Sequence, residues 1–248
     1  MPIFLPVLSP PRLRAGRLLR SAGYRTPSAL RFGNATSDRV DVGHGKQENW
    51  DTKPIWSMGL LLRVTTFTSA RALIGKYTAV SSGSGWQMTL ADTLGNLNFK
   101  VSQITTSLSY NSAGAILAPV GSWHFICVSY DNNGPAGGRV KFYGSASERQ
   151  PLKQLTYGTI TEPVGGLASD SAVGLELGNF GTAPASALQG DIALAWVAMG
   201  TFFSFDQHAQ WTNSPLIPPT PCSGFWVLGD EPVRVLDLSG RGNVGTIT

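Results

Sequence analysis

The chain has 248 residues, 42% of them hydrophobic and 14% charged, which is enough apolar material for one large core and excludes a disordered chain. The formal charge of +4 comes from 19 basic and 15 acidic residues, and it is unevenly placed. Residues 1–25 hold Arg12, Arg14, Arg17, Arg20 and Arg25 without an acid, leaving 14 basic against 15 acidic residues in the rest, so a basic nucleic-acid-binding face on the body is not expected.

Residues 1–28 read as an extended basic arm. Pro2, Pro6, Pro10, Pro11 and Pro27 keep a helix out of its first third. The apolar piece precedes the arginines, the reverse of a secretory signal. Arg12 to Arg20, with Leu13, Leu18 and Leu19 on one helical face, also has the composition of a mitochondrial transit peptide. An arm of this kind is expected to be mobile unless it holds a partner surface or docks on its own domain. Every apolar run is broken before 18 residues, so no transmembrane helix is expected.

Residues 29–248 read as one domain of short strands separated by turn signals. Leu97, Phe99 and Val101 alternate with polar residues, as do Val140 with Phe142 and Leu175 with Leu177, each a period of two that turns one face inward. Ser82 to Gly85, Asn132 to Pro135, Gly137-Gly138 and Pro163 to Gly166 supply the breaks. One helix is expected, Ser204 to Trp211, with Ser204 as its cap and Asp206 near its positive end. About twelve strands and one short helix describe a large antiparallel sandwich. Cys127, inside the apolar run Trp123 to Val128, reads as a buried free thiol, and a bridge to Cys222 is left open.

Several segments taken in order resemble a known fold family. Ala29 to Asn34 followed by Arg39 to Val42 looks like an opening strand pair. Gly121-Ser122-Trp123-His124-Phe125-Ile126-Cys127-Val128-Ser129-Tyr130-Asp131 is similar to a central W-H-x-x-x-V-x-Y-D strand, with Arg139 to Gly144 as its neighbour. Gln189-Gly190-Asp191-Ile192 to Met199 resembles a late G-x-I-x-x-x-x-V strand, and Asp237 to Thr246 a closing D-x-S-G-x-G-N-x-G-T segment. Together they resemble the laminin-G-like, concanavalin-A-like jelly rolls. The resemblance implies an all-β, two-sheet antiparallel sandwich with the last strand returning beside the first. It also implies that Trp123 and Tyr130 fill the sandwich core.

The fold does not fix the function, which rests on the side chains that could carry chemistry. Glycoside hydrolysis needs paired carboxylates, and no strand carries such a pair, since Asp230 and Glu231 are adjacent and point to opposite faces. His44, His124 and His208 share no motif spacing. Relatives that bind calcium point to Asp131, Asn132 and Asn133 as an oxygen-rich turn, although short polar residues are also what any turn uses. Asp38 and Asp41 lie in a second such turn. Asn34-Ala35-Thr36 is a glycosylation sequon. Trp50 and Trp86 are candidate glycan platforms, with Trp56 and Trp211 as further ones.

The strand from Asp191 to Met199 is apolar on both faces, as covered strands are. Ile192, Leu194 and Trp196 are expected to face the sandwich core. Ala193, Ala195 and Val197 then form the opposite face, an interface covered by the domain's own segments or by another subunit.

The function expected from these features is a non-enzymatic structural module anchored by its arm in a larger assembly, a bacteriophage capsid decoration protein or another virion surface protein, working as a homo-oligomer among capsid or tail subunits. The alternative is an extracellular carbohydrate-binding lectin domain that binds surface glycans. No cofactor is expected beyond calcium.

Overall fold

In the computed structural model the described residues are 28–33, 38–43, 53–67, 71–77, 85–104, 107–114, 116–162, 166–170, 172–180, 187–229 and 234–247. The arm, with its five arginines, and also His44, Trp50, Asp230, Glu231 and the sequon lie outside them. Among the described residues there are sixteen strands and one helix.

The strands form two antiparallel sheets. The seven-stranded sheet runs β1 (Leu30–Gly33), β13 (Gln189–Met199), β3 (Ile55–Val64), β8 (Trp123–Asp131), β9 (Val140–Gly144) and β10 (Lys153–Gln154), with β14 (Gly224–Val227) also paired to β13. The nine-stranded sheet runs β11 (Tyr157–Thr161), β7 (Ser107–Ser112), β6 (Leu97–Ser102), β5 (Gly85–Leu90), β4 (Ala72–Tyr77), β12 (Leu175–Leu177), β2 (Val40–Gly43), β16 (Gly245–Ile247) and β15 (Arg234–Val235). This is the expected all-β sandwich. Two details differ from the reading of the sequence. The opening segments β1 and β2 are not a pair, because β1 joins β13 and β2 lies in the other sheet. The last strand, β16, returns beside β2 and not beside β1.

The inward alternation holds where it was strongest: Leu97, Phe99, Val101, Val140, Phe142, Leu175 and Leu177 are fully buried between the sheets. Trp56 and Trp86, with ring centroids 4.6 Å apart, sit at the centre of that core together with Phe99 and Tyr130. Trp123 does not join Tyr130 there. The two are seven positions apart on one strand, an odd number, and a period of two therefore puts them on opposite faces. Trp123 belongs to a second apolar cluster on the outer side of the seven-stranded sheet.

That second cluster explains the doubly apolar strand. In β13, Ile192 pairs with Leu62 and Leu194 with Leu61, so Ala193 is an extra residue and the register shifts. A bulge of this kind reverses the phase of everything beyond it. Ile192, Ala195 and Val197 consequently face the sandwich core, while Ala193, Leu194, Trp196 and Ala198 face outward. The faces expected for Leu194 and Trp196 and for Ala195 and Val197 are thereby exchanged.

The cover over the outer face is the helix α1 (Phe205–Asn213) with the preceding Phe203. Ser204 caps it, as the sequence predicts, and Gln207 completes a capping box. Trp211 and His208 face the sheet. The indole of Trp196 crosses β3 at Gly59, where a Cβ would stand 2.4 Å from Nε1, so only glycine admits it.

The closing motif is a polar clamp. Asp237 Oδ1 accepts from the N–H of Phe225 (3.0 Å) and Ser239 (2.8 Å), and Oδ2 from that of Asn243 (2.9 Å). Burial pushes this carboxyl up, and the hydrogen bonds outweigh burial and hold it below the usual carboxylate value.

Candidate functional site

Sheet register assembles the polar surface of this molecule more effectively than any short motif does. Across the nine-stranded sheet, Thr246 pairs with Asp41, Asp41 with Glu176, Glu176 with Gly75, Gly75 with Gln87, Gln87 with Lys100, Lys100 with Ser109 and Ser109 with Thr161. These residues form one transverse row on the outer face, because their chain neighbours Val40, Leu175, Leu177, Trp86, Met88, Phe99, Val101, Leu108 and Tyr110 fill the core. A second row, Thr89, Asn98 and Asn111, runs beside it.

The row has defined partners. Asn98 Nδ2 donates to Asn111 Oδ1 (2.6 Å) and Ser109 Oγ (2.8 Å). Lys100 Nζ stands 5.6 Å from the ring centroid of Tyr77, and Tyr77 packs 6.3 Å from Phe180. Gly75 admits the close approach of β5, since a Cβ there would stand 2.6 Å from Trp86 O and 2.9 Å from Gln87 Cα, with Phe180 Cε1 next at 3.0 Å. Gln87, Lys100, Asn98, Asn111, Ser109 and Tyr77 are half-buried. Amides and hydroxyls both donate and accept, so the surface suits a ligand dense in hydroxyl groups, with the half-buried Tyr77 ring as an apolar patch and Phe180 buried behind it.

The same register brings two carboxylates together. Asp41 and Glu176 stand opposite each other on β2 and β12, a pair that a search along single strands does not find. Asp41 Oδ1 accepts from Gly43 N (2.8 Å), and Glu176 Oε1 is 3.5 Å from Arg39 Nε.

A serine and a histidine also meet, 79 positions apart. Ser129 Oγ is 2.7 Å from His208 Nε2 and 2.9 Å from Ser57 Oγ, and it donates to Phe203 O (2.8 Å). Ser57 Oγ accepts from Phe203 N (2.8 Å) and donates to Thr201 O (3.0 Å). With Ser129 donating to Phe203 O, its contact with His208 is a hydrogen bond when His208 Nε2 carries the proton, and the two serine hydroxyls share the remaining contact only when one of them gives up its main-chain acceptor. All three side chains are fully buried, and burial lowers the His208 pKa to about 3. A neutral, enclosed imidazole joined to two main-chain anchors ties α1 to the sheet, with no access for a substrate.

The other expected site residues are distributed as follows. Trp86 is fully buried between the sheets, as is Trp56, and Trp211 is buried under α1, so none is a surface platform; the large apolar rings went to the two cores. Ala193, Ala195 and Val197 are fully buried within the chain itself, so no part of that set is left as a surface for a subunit. In the turn of Asp131, Asn132 and Asn133, Asp131 Oδ1 accepts from Asn133 N (2.8 Å) and Asn132 Oδ1 from Tyr130 Oη (2.7 Å), which is ordinary turn chemistry. Among the described residues no group of three His, Cys, Asp or Glu side chains is placed to hold a metal. Cys127 and Cys222 are both free thiols.

By sequence, the chain matches no family model and no curated protein. By structure it is similar to a Bacteroides ovatus protein to which carbohydrate binding has been ascribed, with a TM-score of 0.58 at 14% identity, over 90% of this chain and 58% of that one. The chain therefore spans little more than half the length of that protein. It is also similar to the CBM40 domain of the Ruminococcus gnavus IT-sialidase, with a TM-score of 0.48 at 10% identity, over 75% of this chain and 96% of that one. A third similar structure is that of domains LG4-5 of the mouse laminin alpha1 chain, with a TM-score of 0.46 at 12% identity, over 73% and 45% of the two chains. With two antiparallel sheets and one short helix among its described residues, the domain shares the all-β sandwich fold of the B. ovatus protein, the fold that the resemblance to the jelly rolls implied.

Proposed function

We propose that the domain is a non-enzymatic carbohydrate-binding module whose ligand lies across the outer face of the nine-stranded sheet. The observation that carries this reading is the continuous row from Asp41 and Glu176 through Gln87 and Lys100 to Ser109 and Thr161. At an inter-strand spacing of about 4.8 Å, the six steps from Asp41 to Thr161 span about 29 Å, room for an oligosaccharide. The carbohydrate binding ascribed to the B. ovatus protein of similar fold is in keeping with it. A glycan array followed by calorimetry on the full chain tests the reading. Binding of at least one oligosaccharide, weakened tenfold or more in Gln87→Ala and Lys100→Ala with melting unchanged, is expected. Absence of any bound glycan, or binding indifferent to both substitutions, would refute it.

A second reading concerns the arm and is compatible with the first. The five arginines of residues 1–25, unopposed by any acid, support attachment of the domain to a larger assembly such as a virion. Deleting residues 1–25 should then abolish attachment and spare the fold. A deletion variant that still attaches at full occupancy removes this reading.

A further inference from the structure

One charged group on the other sheet is organised beyond what strand pairing requires. Where the apolar cover of α1 gives way, register sets Arg31, Asp191, Arg63 and Trp123 side by side on β1, β13, β3 and β8. Asp191 has only 4% of its side chain exposed. Its Oδ1 accepts from Arg31 Nε (3.1 Å) and its Oδ2 from Arg63 Nε (2.8 Å). The Arg63 guanidinium lies over the Trp123 ring, 5.1 Å from its centroid.

Strands β1 and β3 flank β13, so the two arginines leave the backbone about 10 Å apart and converge on the two oxygens of one carboxylate. Two guanidinium groups and one carboxylate leave the row with one uncompensated positive charge. Each arginine spends only Nε on Asp191, and the terminal nitrogens of both make no hydrogen bond among the described residues. These nitrogens sit on side chains 69% exposed for Arg31 and 32% exposed for Arg63. Asp38, the other carboxylate held at β1, is bound to Gly33 N (2.6 Å).

Planar guanidinium groups recognise oxyanions through paired N–H donors. Here the side chains are already fixed by Asp191 and Trp123, so an incoming anion orders little that is not ordered already. We propose that Arg31 and Arg63 form a site for an oxyanion, the carboxylate or sulfate group of an acidic polysaccharide. The site lies on an open sheet face with one net charge, and a lone small ion gains little there against its hydration. A polymer carrying many such groups gains from repeated contacts. The oxyanion chemistry stands on the geometry alone, whereas the choice of a polysaccharide rests on the carbohydrate-binding reading above.

The test is calorimetric titration of the full chain with oligogalacturonate, a heparin-derived oligosaccharide, a neutral oligosaccharide and sodium sulfate, at low and physiological salt. An acidic oligosaccharide should bind, more weakly as salt rises. Its affinity should fall at least tenfold in Arg31→Ala and recover in part in Arg31→Lys, with both variants melting close to the parent chain. Lys153→Ala, which removes an exposed cation on β10 at the opposite edge of the same sheet, should leave it unchanged. Equal affinity in Arg31→Ala, or no binding of either acidic oligosaccharide, overturns the site. Loss in Lys100→Ala with retention in Arg31→Ala moves the anion to the polar row and overturns this site alone. Sodium sulfate binding as tightly as the oligosaccharides overturns the polysaccharide assignment in favour of a free ion.

Discussion

The outer faces of the two sheets are built by the same alternation and differ in what alternates. On β13 the outward positions beyond the bulge are Leu194, Trp196 and Ala198, and the chain covers them with α1 and Phe203, making a second core. On β5, β6 and β7 the outward positions include Gln87, Asn98, Lys100, Ser109 and Asn111, polar and half-buried, and such side chains need no apolar cover. An apolar outer face therefore commits the sheet to packing, whereas a polar one leaves it available to a ligand. Substitutions should divide accordingly, costing stability on the first face and binding on the second.

The largest effects belong to β13. Ala195→Arg places a charge on the inner face, where Ala195 is fully buried in the sandwich core, and an unpaired buried charge is not tolerated. We expect no folded protein by circular dichroism. Trp196→Ala removes an indole packed 5.4 Å from Phe203 and from Trp211 and should cost about 3–5 kcal/mol in urea unfolding. A soluble, cooperatively melting Ala195→Arg would show that Ala195 does not face the sandwich core, and a cost below about 1 kcal/mol for Trp196→Ala would show that α1 does not seal the outer face.

The seal should also fail in acid. His208 has a pKa lowered by burial to about 3, against about 6.5 for an exposed histidine. Below the higher value the unfolded chain binds a proton that the folded chain refuses, so stability falls as pH drops from about 6.5 towards 3. At pH 4 the loss attributable to His208 is about 3 kcal/mol. Asp237, whose folded value is depressed, adds to the loss as pH passes down through that value. In His208→Gln the fall between pH 6 and 4 should be visibly shallower. An identical pH profile would place His208 outside the buried network.

Much of this was legible in the sequence, for particular reasons. The inward set Leu97, Phe99 and Val101 and the cap at Ser204 are local patterns, decided by neighbours a few residues away, and the segments resembling the jelly rolls fix their order. The bulge at Ala193 left no local mark, because an apolar strand reads the same in either phase. The exchange of Trp196 with Ala195 and Val197 followed from it. The site candidates fared differently because they depend on register between distant strands. Gln87 meets Lys100, and Arg31 meets Asp191, only once β5 lies beside β6 and β1 beside β13. Of the tryptophans proposed as platforms, Trp56, Trp86 and Trp211 were drawn into the cores because burial gains most from the largest rings.

A smaller effect tests whether α1 is held by its own cap or by the sheet. Ser204 Oγ accepts from Gln207 N, and Gln207 Oε1 from Ser204 N (2.8 Å). Ser204→Ala should cost about 1 kcal/mol, a fall of about 2–4 °C in melting temperature for a chain of this size. A loss comparable to that of Trp196→Ala would mean that the cap, not the apolar contact, holds the cover in place.

The smallest effect on stability is expected where the effect on binding is largest. Gln87 and Lys100 are half-buried, their side chains lie outside both cores, and Lys100 contributes to the fold mainly through its contact with the Tyr77 ring. An exposed cation–π contact is worth about 0.5–1 kcal/mol, which bounds the loss in Lys100→Ala, and Gln87→Ala should fall within about 0.5 kcal/mol of the parent chain, as ordinary surface substitutions do. Urea unfolding and glycan titration on the same preparations separate the two quantities. Near-parental unfolding with binding lost sharpens the division between the faces. A loss of several kcal/mol in Gln87→Ala would mean that the row supports the sheet as Trp196 does, and the outer face of the nine-stranded sheet would then be structural rather than free for a ligand.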